Sequence, residues 1–255
     1  MKLIDGKKIS GEIKDEIKEE VAKLKEQGID IALAVVKVGE DPASAVYVRN
    51  KEKACEYVGI KSITYALKEE TTQDELLELI DKLNADKEIN GILVQLPVPD
   101  HIDEDKIIRT ISADKDVDGF HPESVGRLWI GEKGFLSCTP AGVIQLLKRS
   151  GIEIAGKECV IIGRSNIVGK PMAALLLREN GTVTVAHSRT KSLADVTRRA
   201  DILIVAIGKE RFITSDYVKK GAVVIDVGMH RDAENHLCGD VDFADVEPVA
   251  SAITP

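Results

Sequence analysis

Five stretches of this 255-residue chain are almost unbroken in apolar and β-branched character: IALAVVKVG (31–39), GILVQLPVP (91–99), ECVII (158–162), DILIVAIG (201–208) and AVVIDVG (222–228). A strand of this kind has no polar face to offer water. Both of its faces must be covered, as in a mostly parallel sheet with helices packed on each side. Amphipathic segments supply those helices. In SGEIKDEIKEEVAKLKEQG (10–28), Ile13, Ile17, Val21 and Leu24 share a face, with Ser10 placed to cap and Gly28 to stop. DPASAVYVRNKEKACEYVG (41–59) opens on turn residues and ends on a glycine, and Thr72 and Glu75 form a T-x-x-E capping box after a strand at 61–67. CTPAGVIQLLKRSG (138–151) carries Pro140 in its first turn. The alternation then restarts with a strand at 158–162, helix 170–179, strand 182–187, a helix near 192–199, and strands at 201–208 and 222–228. The expected class is α/β, with one domain over residues 1–137 and a second over 138–255.

Charge and cysteine usage exclude several functions. With 35 Lys and Arg against 43 Asp and Glu, the net charge of −8 disfavours a nucleic-acid binder that works by neutralising phosphates. Cys55, Cys138, Cys159 and Cys238 are far apart and lack histidines at ligand spacing, so neither a disulfide framework nor a zinc site is signalled and no metal is expected. The start, MKLIDGKKIS, lacks the apolar core of a signal peptide, and no apolar run approaches a membrane span. A soluble, cytoplasmic protein is the expectation.

GRSNIVGKP (163–171) lies between a strand and a helix, where a phosphate loop belongs. It matches neither the G-x-G-x-x-G of dinucleotide folds nor a Walker A loop, because Arg164 and Ser165 follow Gly163 and Pro171 follows Lys170. Glycines that merely permit a tight turn would leave the same letters. The order strand, Gly163, Gly169, Pro171, helix nevertheless offers close backbone approach and a positive helix end to a pyrophosphate. An NAD site needs an acidic residue at the end of the second strand. Here that position reads His187-Ser188-Arg189-Thr190, where a hydroxyl and a guanidinium suit the extra phosphate of NADP.

In the first half, Tyr47 and Lys51 are four residues apart on an expected helix and project from one face, a spacing equally common on solvated surfaces. Gln95 interrupts an otherwise apolar strand, and a buried amide needs partners, either neighbouring backbone or a ligand at the strand's carboxyl end. KDVDG (115–119) places Asp116 and Asp118 in a turn, where aspartate ordinarily serves turn geometry.

DPASAVYVRNK, GILVQLPVP, KDVDGF, CTPAG, IIGRSNIVGKP, VTVAHSRT, ADILIVAIGK, VVIDVG and GDVDF, in that order, resemble the bifunctional methylenetetrahydrofolate dehydrogenase/methenyltetrahydrofolate cyclohydrolase family. The resemblance covers nearly the whole chain. It implies two α/β domains flanking a cleft, the second of Rossmann type. It implies NADP-dependent oxidation of 5,10-methylenetetrahydrofolate to the methenyl cation, then hydrolysis to 10-formyltetrahydrofolate. By position in the motifs, Lys51 resembles the family's catalytic lysine, Gln95 its hydrogen-bonding partner, Tyr47 the aromatic that packs on folate, and Asp118 the holder of the pterin amino group. Leu96 and Pro97 would border the substrate. Thr139, Gly163, Arg164, Ser165, Val168, Gly169, His187, Ser188, Arg189, Ile207 and Gly208 would surround NADP. A homodimer joined through the cofactor domain is implied as well, and a glycine-rich loop and final helix beyond Ile253-Thr254-Pro255. A single-activity member of the family, or a non-catalytic nucleotide-sensing module, are the competing readings.

Overall fold

The computed structural model spans residues 1–255 and describes the side chains of all but residues 42–45. Two compact units emerge, one of residues 10–136 and the other of residues 1–9 together with 137–255. The short strand β1 (Lys2–Leu3) belongs to the second unit, and α1 (Gly6–Glu26) begins there and continues into the first. Residues 1–9, expected with the first domain, thus pair elsewhere, because β1 runs parallel to a strand at the far end of the chain. α1 also starts four residues before Ser10. Asp5 supplies the cap in its place, its Oδ1 accepting from the Lys8 N–H at 2.9 Å.

The first unit is built on a three-stranded parallel sheet, order β3-β2-β4, of β2 (Ala32–Val38), β3 (Lys61–Leu67) and β4 (Gly91–Val94). α2 (Pro42–Val58) connects β2 to β3, and α3 (Gln73–Ala85) connects β3 to β4. The capping box forms in full: Glu75 N–H donates to Thr72 Oγ, and Glu75 Oε2 accepts the Thr72 N–H at 2.8 Å. Leu76, Ile80 and Leu83 of α3 pack with Ala34, Val36, Ile92 and Val94 in the larger core cluster, which also takes in Ile107 of α4 (Glu104–Thr110). Val48 of α2 joins Val35 and Leu93 in a separate one. Neighbouring residues of β2 and β4 thus enter different cores, which explains strands without a polar face. α5 (Pro122–Ile130) ends the unit on Gly131, whose left-handed backbone (φ 80°) closes the helix.

In the second unit α6 (Cys138–Arg149) leads to β5 (Glu158–Ile162), α7 (Gly169–Arg178), β6 (Thr182–Ala186), α8 (Leu193–Thr197) and β7 (Ile202–Val205). A 3₁₀ turn at Ser215–Tyr217 precedes β8 (Val223–Asp226), and an antiparallel hairpin of β9 (His230–Arg231) and β10 (Leu237–Cys238) follows. α9 (Phe243–Val246) and β11 (Ala252–Ile253) finish the chain. The sheet is six-stranded and parallel, order β1-β11-β8-β7-β5-β6. All four residues of β7 are buried, and Met172 to Leu176 of α7 are too, so the helix following the glycine loop is locked down by its apolar run.

Candidate functional site

Both sheets reverse direction at one place. In the first, β3 lies on one side of β2 and β4 on the other; in the second, β6 lies on one side of β5 and β7 on the other. The carboxyl ends of the two strands at such a switch point are where α/β sheets receive ligands. In the first unit these are the ends of β2 and β4.

Gln95 follows β4 directly. Its N–H donates to Val36 O at 2.8 Å, its Nε2 to Leu96 O at 2.8 Å, and its Oε1 accepts from Lys51 Nζ at 2.9 Å. The amide therefore uses neighbouring backbone and a lysine together. Lys51 reaches it from α2, whose Val48 packs on Val35 and Leu93 and so sets the helix's rotation on the sheet. Tyr47, one turn earlier, is 42% exposed. Leu96 is half-buried and Pro97 exposed, joined by a cis peptide bond.

Asp118 is delivered by a loop in which its neighbours are committed to structure. Lys115 Nζ donates to the carbonyls of Leu83, Asn84 and Asp86 at 2.9, 2.9 and 2.6 Å, closing the end of α3. Asp116 is buried, its Oδ2 accepting from the His121 N–H and from Ser124 Oγ, both at 2.8 Å. Val117 occupies the space beside Gly91, where a Cβ would overlap it. Asp118 comes next, half-buried. Burial pushes its carboxyl above the ordinary carboxylate range, the Lys51 charge opposes this, and Asp116 adds to it. Lys51, Gln95 and Asp118 thus form one electrostatically coupled group at the end of β4. Of the two aspartates in this turn, Asp116 serves turn geometry, as such residues ordinarily do, and Asp118 does not.

In the second unit the switch point lies at the ends of β5 and β7. Gly163 follows β5 with φ 132°, and a Cβ there would overlap the carbonyl oxygen of Ala206, the residue after β7. A Cβ on Gly169 would overlap the Gly163 carbonyl oxygen. The two glycines therefore let three backbone segments close up, which is the cradle a pyrophosphate requires. Ser165 Oγ accepts from the N–H groups of Val168 and Gly169 at 3.1 and 3.3 Å, so its oxygen is used within the loop and its O–H proton is left for a ligand. Arg164 is exposed beside it. After β6, Thr190 Oγ accepts from the His187 N–H at 2.8 Å, and His187 Nδ1 from the Arg189 N–H at 3.1 Å, stapling a turn on which Ser188 and Arg189 are exposed. This turn holds no carboxylate, so the cradle and its arginines fit a phosphorylated ribose. Ile207 is half-buried and Gly208 exposed just past β7, and Thr139 is exposed in the first turn of α6.

Two carboxylates escaped the sequence reading. Asp226 and Asp240 organise the loops behind β7 and β8, and neither belongs to a recognisable motif of acid–base spacing. Both lie inside quoted family motifs, VVIDVG and GDVDF, and the local signal for their role is glycine. A Cβ on Gly228 would overlap the Asp240 carboxyl, and one on Gly239 would overlap that of Asp226.

Comparison with known proteins bears on both units. The family model described as "Tetrahydrofolate dehydrogenase/cyclohydrolase, catalytic domain" matches residues 4–118, and the one described as "Tetrahydrofolate dehydrogenase/cyclohydrolase, NAD(P)-binding domain" matches 137–255. The bifunctional protein FolD of Lachnoclostridium phytofermentans is 70% identical over 253 residues, covering 99% of this chain and 90% of the relative. Among solved structures, the bifunctional FolD methylenetetrahydrofolate dehydrogenase/cyclohydrolase of Campylobacter jejuni superposes with a TM-score of 0.98 at 53% identity, over 100% of this chain and 91% of that one. The Trypanosoma brucei methylenetetrahydrofolate dehydrogenase-cyclohydrolase, solved with NADP and an inhibitor, gives 0.92 at 37% identity over 99% and 89%.

Proposed function

The chain belongs to the tetrahydrofolate dehydrogenase/cyclohydrolase family, and we propose that it oxidises 5,10-methylenetetrahydrofolate with NADP and hydrolyses the resulting methenyl cation to 10-formyltetrahydrofolate. The observation that carries this reading is the group at the end of β4, in which Lys51 Nζ is held by Gln95 Oε1 at 2.9 Å and shares its field with Asp118.

Gly163, Arg164, Ser165, Val168, Gly169, His187, Ser188 and Arg189 would hold NADP, with Thr139, Ile207 and Gly208 along its path, and the bound cofactor would supply the acceptor for the hydride leaving the methylene carbon. That carbon lies between two folate nitrogens, which delocalise the positive charge, so the oxidation needs positioning more than acid–base help. Asp118 accepts from the pterin amino group, Tyr47 packs on the folate, and Leu96 and Pro97 border it. Hydrolysis then needs proton traffic. Water adds to the methenyl carbon and gives up a proton, which Lys51 receives as its ammonium hands one of its own to solvent. The bond from that carbon to N5 breaks as N5 gains the proton of the new hydroxyl, leaving the formyl group on N10. Lys51 relays these protons while Gln95 fixes its direction, and one proton is released overall.

The test is Lys51→Met assayed with methylenetetrahydrofolate and NADP or NAD, following reduced cofactor and the methenyl product separately. Hydrolysis should fall by at least about 10²-fold, the scale of a lost acid–base group, with NADP affinity nearly intact. Unchanged methenyl hydrolysis would remove Lys51 from the mechanism. NADP should be used in preference to NAD.

The setting we propose is the cytoplasm, and the assembly a homodimer joined through the second unit. Among the described residues no helix is long and apolar enough to cross a membrane, and the β9–β10 hairpin exposes 66% of Leu237.

A further inference from the structure

The last ladder bonds at the carboxyl end of β7 are Ala206 N–H to Ile162 O and Val227 N–H to Val205 O, both 2.8 Å. Beyond them the chain turns through Ile207, Gly208 and Lys209 without a partner strand. This turn begins at Ala206, whose carbonyl touches Gly163, so its shape sets one wall of the switch-point cradle. What holds it is a single carboxylate. Asp240 Oδ2 accepts from the N–H groups of Ile207 and Gly208 at 2.7 and 3.2 Å, and its Oδ1 from the Lys209 N–H at 2.7 Å. His230 Nε2, from the β9–β10 hairpin, bonds the same Oδ1 at 2.8 Å.

Three successive N–H groups converge on one acceptor only in a narrow range of backbone dihedrals, so the carboxylate selects the turn's conformation. Asp240 is wholly buried and is itself fixed from behind. Asp226 Oδ1 accepts the Asp240 N–H at 3.1 Å and the Gly228 N–H at 2.8 Å, while its Oδ2 accepts the Val241 N–H at 2.8 Å. Glycine at 228 leaves the room the Asp240 carboxyl needs. Burial pushes the Asp240 carboxyl upward, but the bonds from His230 and from the N–H groups of Ile207, Lys209 and Gly208 outweigh it and hold it below the ordinary value.

We propose that Asp240 is the positioning residue of the cofactor turn 206–209, and that His230 ties this turn to the β9–β10 hairpin. The inference rests on the reading that the β5/β7 switch point takes NADP. A neutral amide cannot replace the carboxylate, because Asn offers one acceptor oxygen and turns an NH₂ group against N–H donors.

The experiment compares wild type, Asp240→Asn, His230→Leu and His230→Gln in three measurements: NADPH binding by fluorescence, the KM and kcat of the dehydrogenase, and methenyl hydrolysis, which needs no cofactor. Asp240→Asn should raise the KM for NADP and the NADPH dissociation constant about tenfold, with hydrolysis within about twofold of wild type. His230→Leu should show a smaller rise in the same direction, and His230→Gln, whose amide can still donate, should restore most of it. Unchanged NADP parameters in Asp240→Asn or, if that variant does not fold, in His230→Leu overturn the proposal. So does an equal loss of both activities in a folded variant, since that marks general destabilisation. If wild type itself fails to bind NADPH, the cofactor reading falls and takes this inference with it.

Discussion

Asp118 shows at the scale of one residue how a functional group is set against the fold that carries it. Its carboxyl lies above the ordinary range because burial costs the anion more than Lys51 returns, and Asp116 adds repulsion. Between the ordinary carboxylate value and the raised one, the folded chain binds a proton that the unfolded chain has lost. Stability from this group therefore falls as pH rises through that window and stays lost at neutral pH. Asp118→Asn should accordingly raise the thermal unfolding midpoint at pH 7 while weakening methylenetetrahydrofolate binding about tenfold, the loss of a charged acceptor. Thermal denaturation run beside the folate KM checks both, and a lowered midpoint would contradict the electrostatic account. Spacing marked Asp116 and Asp118 alike as turn residues, and the family resemblance singled out Asp118. Their surroundings give the physical difference: Asp116 spends its carboxylate on His121 and Ser124, and Asp118 faces Lys51's charge.

Elements whose rules are local were legible. The Thr72–Glu75 box, the Gly28 stop and the βα order each depend on residues within a few positions of one another. The helix at 10–28 was found, but its start was misplaced, since Asp5 and Ser10 are both competent caps and only the path of the chain from β1 chooses between them. Two-residue strands such as β1, β9, β10 and β11 carry no periodicity and exist only through their partners. The glycine loop is the element most sensitive to a single atom. Gly163→Ala must both relieve a Cβ overlapping the Ala206 carbonyl and hold φ 132°, so it should cost about 1–3 kcal/mol or more and remove NADP-dependent oxidation. Denaturant unfolding and the two separate assays would reveal it, and a variant oxidising substrate at the wild-type rate would show that the loop can open without loss.

At the scale of the whole molecule, Leu237 of the β9–β10 hairpin is 66% exposed, and the proposed homodimer would cover it. Light scattering should report about twice the chain mass of 27.7 kDa for wild type, and Leu237→Glu should shift the population toward monomer. A wild-type monomer would remove the proposed assembly without touching the chemistry. The chain's own letters determined the longer strands and the helices of the two βα alternations, that their apolar strands need cover on two faces, where the glycine loop falls, and which family the motif order belongs to. All of these are written in short-range periodicity and motif. The tertiary structure alone decided that residues 1–9 complete the second unit, that Gln95 and Gly163 each stand at a switch point, and that the buried Asp116 and Asp240 and the half-buried Asp226 hold loops by accepting backbone N–H groups. Strand order and burial come from pairings between residues as distant as Leu3 and Ile253, and no local pattern encodes a partner 250 positions away.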